Sequence, residues 1–174
     1  MDRNRPGDDR TGRAAMGGHE GMVRMTDLPE SERTLLENLA CESYDTEPWA
    51  GGPPLSQRRV ALVSTAGLQR RGDRPFALGA VDYRVITDDT PAAELIMSHV
   101  STNFDRSGFE QDINVVLPLD RLAELAAAGE IGSVARYHYS FMGATDPALM
   151  ADTAAHLAGL LKADDVDACL LLPV

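Results

Sequence analysis

The stretch from Ser133 to Leu172 constrains the fold more than any other part of the chain. Ser133 to Met142 alternates as a strand does, with Tyr137, Tyr139 and Phe141 on one face and Arg136, His138 and Ser140 on the other. Gly143-Ala144-Thr145-Asp146-Pro147 then supplies a turn, a cap and a first-turn proline before a helix through about Lys162. Ala168 to Leu172 is a short apolar run and reads as a second strand. The order strand, helix, strand, with a helix of this length as crossover, favours parallel pairing. The expected class is therefore α/β, a layered and mostly parallel sheet with helices on both faces.

The remaining chain supplies further elements of the same kinds. Val60 to Thr65 is apolar and followed by Ala66-Gly67, which suits a buried strand ending in a loop. Asp82 to Ile86 alternates as a strand, and Pro91 to Met97, capped by Thr90, reads as a short helix. Ile113 to Leu117 is expected as a short strand. Asp120 to Ala128, with Leu119, Leu122 and Leu125 at helical spacing and Gly129 behind it, is expected as a helix. Upstream, Leu35, Leu36 and Leu39 follow a Pro-Glu-Ser-Glu start and predict a helix over Glu30 to Glu42. Glu47 to Pro54 is a Pro/Gly-rich linker or wrapping loop anchored by Trp49, and Met1 to Met25 has no apolar periodicity to bury. The expected division is a disordered tail over 1–25, a helix and linker over 26–58, and an α/β domain over 59–174.

A length of 174 residues suits one core, and a 44% hydrophobic fraction is that of a globular body. The net charge of −11 repels a phosphate backbone and an anionic membrane surface, so neither nucleic acid nor membrane is an expected partner. Cys41 and Cys169 are far apart and form no C-x-x-C pair, which suits a reducing compartment. No apolar run approaches the roughly 18 residues that span a bilayer, and no apolar signal core opens the chain, so the expected location is cytoplasmic.

In an open parallel sheet, ligands bind outside the carboxyl ends of the strands. Three segments fall at that edge: Ser64-Thr65-Ala66-Gly67, Gly143-Ala144-Thr145-Asp146, and Pro173-Val174. They are either a binding site or ordinary strand-to-helix turns. The polar stretch Ser98 to Asp112 contains His99, Asn103, Asp105 and Asp112. His99 is a general acid or base, or else it satisfies a buried backbone group. Asp105 and Asp112 position a cationic amine or cap turns. His138 faces substrate with Arg136 or sits satisfied on a covered sheet face. No tight ligand spacing joins His99, Asp112 and His138, so no metal is assigned.

Taken in order, Ser64-Thr65-Ala66-Gly67, Asp82-Tyr83-Arg84-Val85-Ile86, Ser98-His99, Asn103-Phe104-Asp105, Asp112-Ile113-Asn114 and His138-Tyr139-Ser140-Phe141-Met142-Gly143 resemble the selenoprotein B family of glycine, sarcosine, betaine and D-proline reductases. The resemblance runs from about Val60 to Val174. It implies a Rossmann-like domain and reductive cleavage of a C–N bond in a small amino acid or N-methylated derivative, with electrons from a thioredoxin-like dithiol donor. It also implies a redox-active selenocysteine or cysteine just beyond Val174, where this chain ends, and in parts of the family a pyruvoyl group on a partner subunit. No cofactor is expected within these 174 residues.

On that resemblance, His99, Asp112 and His138 are expected to orient or protonate substrate. Ser64, Thr65 and Gly67, with Asn103, Asp105 and Gly143, are expected to bind it. The chain is read as a truncated, substrate-side piece of a reductase, inactive without its nucleophile and working with partner subunits. The rival expectation is a non-catalytic small-molecule binding or complex-forming module built on the same fold.

Overall fold

The computed structural model describes residues 24–39, 43, 45, 47–49, 51–101 and 106–174. Two compact units are present, Met1–Thr46 and Glu47–Val174. In the first, a single 3₁₀ turn (Met25–Asp27) precedes α1 (Glu30–Glu37), whose first turn carries Glu30 and Glu32 against the positive end of the helix dipole. The helix stops short of the expected Glu42. Asn38 leaves helical geometry and its Nδ2 donates to the Thr34 carbonyl, closing the last turn. Residues 40–42, including Cys41, and the tail over 1–23 lie outside the described residues.

The second unit holds β1 (Arg59–Ser64), β2 (Leu68–Arg70), β3 (Arg84–Thr87), β4 (Leu95–Met97), α2 (Ser107–Gln111), α3 (Leu119–Ala127), β5 (Ser133–Val134), β6 (Tyr137–Ser140), α4 (Ala151–Ala163) and β7 (Ala168–Leu172). The central strand is β1. It pairs in parallel with β7 along its whole length on one side, and with β5 and then β6 on the other. β3 runs antiparallel to β6, with Val85 opposite Tyr139, so the sheet is mixed. β2 and β4 form a separate antiparallel pair.

Alternation along β1 divides the core in two, because successive side chains point to opposite faces. Val60 and Leu62 pack with Ile86, Leu68, Leu117 and Leu122 of α3. Val63 packs from the other face against Tyr139, Phe141 and Leu157 of α4. The two helices therefore lie on opposite faces of the sheet. Leu62 is fully buried, and removing such a side chain from water stabilises by about 1.5–3 kcal/mol.

Several expectations needed correction. Pro91 to Met97 is not a helix: a 3₁₀ turn over Ala92–Glu94 leads directly into β4, whose backbone is claimed by β2. Ile113 to Leu117 is not a strand. The Asp112 carboxylate accepts the Asn114 amide at 2.9 Å and turns Ile113–Val115 into a 3₁₀ helix. The strand expected as one piece from Ser133 to Met142 is interrupted at Ala135-Arg136. There the Arg136 carbonyl accepts the Asp88 amide and its guanidinium pairs with Asp88 and Asp89. Both faces of β6 are covered, while Tyr137, expected in the core, is half exposed. Trp49, expected to anchor the loop, is instead almost fully exposed.

Candidate functional site

The carboxyl end of β1 is a hub of backbone hydrogen bonds. The Thr65 amide donates to the Leu172 carbonyl at 3.0 Å, Phe141 to Ser64 at 2.8 Å, Gly67 to Phe141 at 2.8 Å, and Gly143 to Thr65 at 2.9 Å. The Ser64 hydroxyl accepts the Ala66 amide at 3.2 Å, turning the chain sharply within the hub. Thr65 Oγ1 accepts the Val174 amide at 2.8 Å. All three expected segments thus converge at one sheet edge.

A fourth segment joins them. Gly67 has φ +65°, a conformation that favours glycine, and its carbonyl accepts the Ser98 amide at 2.9 Å, which brings His99 against it. A Cβ on Gly67 would stand 3.0 Å from the His99 Cα, and a Cβ on Gly143 would stand 2.7 Å from the Val174 carbonyl oxygen, 2.8 Å from that of Thr65 and 2.9 Å from His99 Nε2. Glycine at 143 is what lets these groups meet.

His99 is nearly buried, and its Nδ1 accepts the Ser101 amide at 3.1 Å. Burial first, and then the Arg106 guanidinium, hold its pKa below the ordinary value. Arg106 is itself fixed by donating to the His99 carbonyl at 2.8 Å and the Ser101 carbonyl at 2.6 Å. The imidazole is therefore neutral at pH 7. With its Nδ1 lone pair engaged, the proton belongs on Nε2, the nitrogen facing Gly143. The result is an uncharged N–H donor at the meeting point of the four segments.

The other two expected catalytic residues lie elsewhere. His138 is fully buried inside the sheet, where its Nδ1 accepts the Leu62 amide at 3.0 Å. Burial pushes its pKa down to about 4, and its Nε2 has no hydrogen-bond partner among the described residues. Asp112 lies on the rim of a cavity of about 490 Å³ between β4 and α2, floored by Leu68, Met97 and Ile113. Its carboxylate is held below the usual range, first by the Asn114 amide and then by the Asn114 side chain. Asn103 and Asp105 lie outside the described residues.

Reading the sequence missed Ser98 and Arg106 as site-building residues. Ser98 Oγ accepts the Phe76 amide at 3.0 Å and reaches Gln69 Oε1 at 2.8 Å, tying the loop before β3 to the β2–β4 pair. The signal available was the concentration of polar groups after Met97, which gave no way to tell pinning residues from contacting ones. No cluster of three or more His, Cys, Asp or Glu side chains fit to hold a metal occurs among the described residues. Cys169, the one cysteine among them, is exposed on β7, where the apolar neighbours that partly desolvate it push its thiol up to about 11, far from thiolate at neutral pH. No helix among the described residues is long and apolar enough to cross a membrane.

Residues 45–173 match the family described as glycine/sarcosine/betaine reductase selenoprotein B. The chain is similar to D-proline reductase subunit gamma of Acetoanaerobium sticklandii, 32% identical over 81% of this chain and 61% of that subunit. It is also similar to the betaine reductase complex component B subunit beta of Peptoclostridium acidaminophilum, 30% identical over 82% of this chain and 37% of that subunit. A third relative is the glycine reductase complex component B subunit gamma of Carboxydothermus hydrogenoformans, 31% identical over 67% of this chain and 28% of that subunit. The matches therefore span less than two thirds of each of these relatives. No solved structure matches the chain.

Proposed function

Because the chain belongs to the glycine/sarcosine/betaine reductase selenoprotein B family, we propose that it is the substrate-side part of a reductase that cleaves a C–N bond in glycine, a betaine- or sarcosine-type derivative, or D-proline. Such a cleavage consumes two electrons and two protons per bond, and a dithiol supplies them as it becomes a disulfide. The observation that carries the reading is the meeting of Thr65, Gly143, Val174 and His99 within van der Waals reach of one Cβ position.

In this reading Ser64, Thr65 and Gly67 hold the backbone cradle, and His99 presents its Nε2–H to the substrate as an orienting hydrogen-bond donor. His138 and Asp112 act on structure rather than on substrate, the first by completing the sheet and the second by shaping the 3₁₀ turn. A selenocysteine or cysteine placed after Val174 would fit here, since the Val174 carbonyl and His99 Nε2 both approach the same Cβ position at Gly143, at 2.7 and 2.9 Å. When present, that residue supplies the anionic chalcogen nucleophile, which a neutral N–H donor stabilises without competing for charge. Partner subunits, one of them pyruvoyl-bearing, a thioredoxin-like donor, a cytoplasmic location and a Rossmann-like completed domain belong to the same proposal.

One observation favours the second reading, a non-catalytic binding module: Cys169, the only cysteine among the described residues, lies on β7 and is not among the groups that meet at Gly143. The test is calorimetry and a dithiothreitol-driven reductase assay with glycine, sarcosine, betaine and D-proline on the 174-residue chain. Binding without turnover is the expected result, and full turnover by this chain alone overturns it. Turnover gained when the chain is assembled with its reductase subunits supports the reductase; binding that stays silent in the assembly supports the module.

A further inference from the structure

β7 has the composition of an interior strand and the position of an edge strand. Its five residues, Ala-Cys-Leu-Leu-Leu, carry no charge and are apolar on both faces, the pattern of a strand flanked on both sides in a parallel sheet. Among the described residues it pairs only with β1. Leu170 is 43% and Leu171 68% exposed. Native edges are blunted by charges, prolines or bulges, and within β7 there is none.

A groove of about 570 Å³ runs beside this strand. One wall is Cys169, Leu171 and Pro173. The other is Met150, the cap before α4, with Ala154, Leu157, Ala158 and Leu161 of α4, spaced as one stripe of a helix prepared to receive another helix. No charged side chain lines it, in a chain whose net charge is −11, so its occupant is apolar.

Topology says what kind of occupant fits. The connection from β6 through α4 to β7 passes over β1 and places α4 on the Tyr139 face. Crossovers between parallel strands are right-handed in about 98% of cases. A strand added outside β7 by a crossover of the same hand carries its helix on that same face, directly over the groove. About two fifths of the D-proline reductase relative, and more of the others, lies outside the matched region, enough for such a unit.

We infer that the free edge of β7 and the groove beside α4 are the seat of a strand and an apolar helix from the part of the reductase polypeptide that lies outside the region shared with this chain. The inference rests on membership of the family and stands whether or not the His99 cradle binds substrate.

The experiment places the photo-crosslinker p-benzoylphenylalanine at Leu171, and separately at Ala158, in the protein made in its source organism, with Leu78 as a distant control. All three positions are exposed, so the folded core is not at stake. The expected product is a cross-link from positions 171 and 158, absent at 78, to a peptide aligning with the unmatched part of the D-proline reductase relative. A cross-link to a second copy of residues 1–174 overturns the inference in favour of self-pairing. Cross-links to an unrelated protein, or the same pattern at all three positions, overturn it outright.

Discussion

The Nδ1 of His138 accepts the Leu62 amide at 3.0 Å, so a side chain occupies a ladder position in the middle of the sheet. The interruption at Ala135-Arg136 leaves no strand backbone opposite that amide, and the imidazole replaces it. His138→Leu, similar in size and without an acceptor, leaves the buried Leu62 N–H unpaired and is expected to cost about 1–3 kcal/mol in urea denaturation.

Burial of the same imidazole makes stability depend on pH. The unfolded His138 titrates near the ordinary value of 6.5 and the folded one at about 4. Between those values the unfolded chain holds more protons, so stability rises with pH. The contribution is complete above the unfolded value, falls as the solution is acidified, and is gone below about pH 4, a span on the order of 3 kcal/mol. Urea titrations from neutral pH down to about 4 should show this slope, and His138→Leu should lack it.

Gly143→Ala introduces a Cβ at 2.7 Å from the Val174 oxygen and 2.8 Å from the Thr65 oxygen, both backbone atoms unable to swing aside. Overpacking of this kind costs about 1–3 kcal/mol. Because His99 Nε2 is the third neighbour, at 2.9 Å, the His99 ring proton shift in NMR should move along with the urea midpoint. An unmoved His99 signal would show that the glycine is not what holds the cradle together.

His99→Asn shortens the side chain and withdraws the Nε2–H donor from Gly143. In the assembled reductase it is expected to lower kcat by about 100-fold, the low end for a preorganised hydrogen-bond donor. His99→Gln returns an N–H donor toward the same point and should recover part of that loss. Equal activity of both variants and the unsubstituted chain would remove His99 from the proposed chemistry.

Thr65→Val removes the oxygen that accepts the Val174 amide, whereas Thr65→Ser keeps it. The first is expected to cost about 1 kcal/mol and to speed hydrogen exchange at Val174; the second should leave that exchange close to the original.

How far the sequence reveals this molecule depends on which force fixes each element. Ala168–Leu172 was legible to the residue, because an apolar run between Asp167 and Pro173 has one reasonable state. α3 was legible within a residue at each end through Leu119, Leu122 and Leu125 and the glycine behind them. β2 and β4 were not: three residues carry no period, and Leu95–Met97 is extended only because Leu68–Arg70 pairs with it. Within the site, the convergence of Ser64–Gly67, Gly143 and Val174 followed from parallel pairing of β1, β6 and β7, and the structure has that pairing. The place of His138 did not follow from alternation, since alternation assigns a face and cannot say that both faces are covered or that a backbone gap waits at Leu62.

The two borders of the sheet differ in kind. β3 is bounded by ion pairs, Arg74 and Arg84 with Asp82 at its start and Arg136 with Asp88 and Asp89 at its end, while β7 has none within it. Charged margins discourage strand addition. The β7 border thus has a valence of one: it is an uncharged bonding edge, which one partner strand consumes. Pairing of two copies through β7 would exhaust both edges and stop at a dimer, so the open border can nucleate an assembly of defined stoichiometry but cannot propagate a fibre.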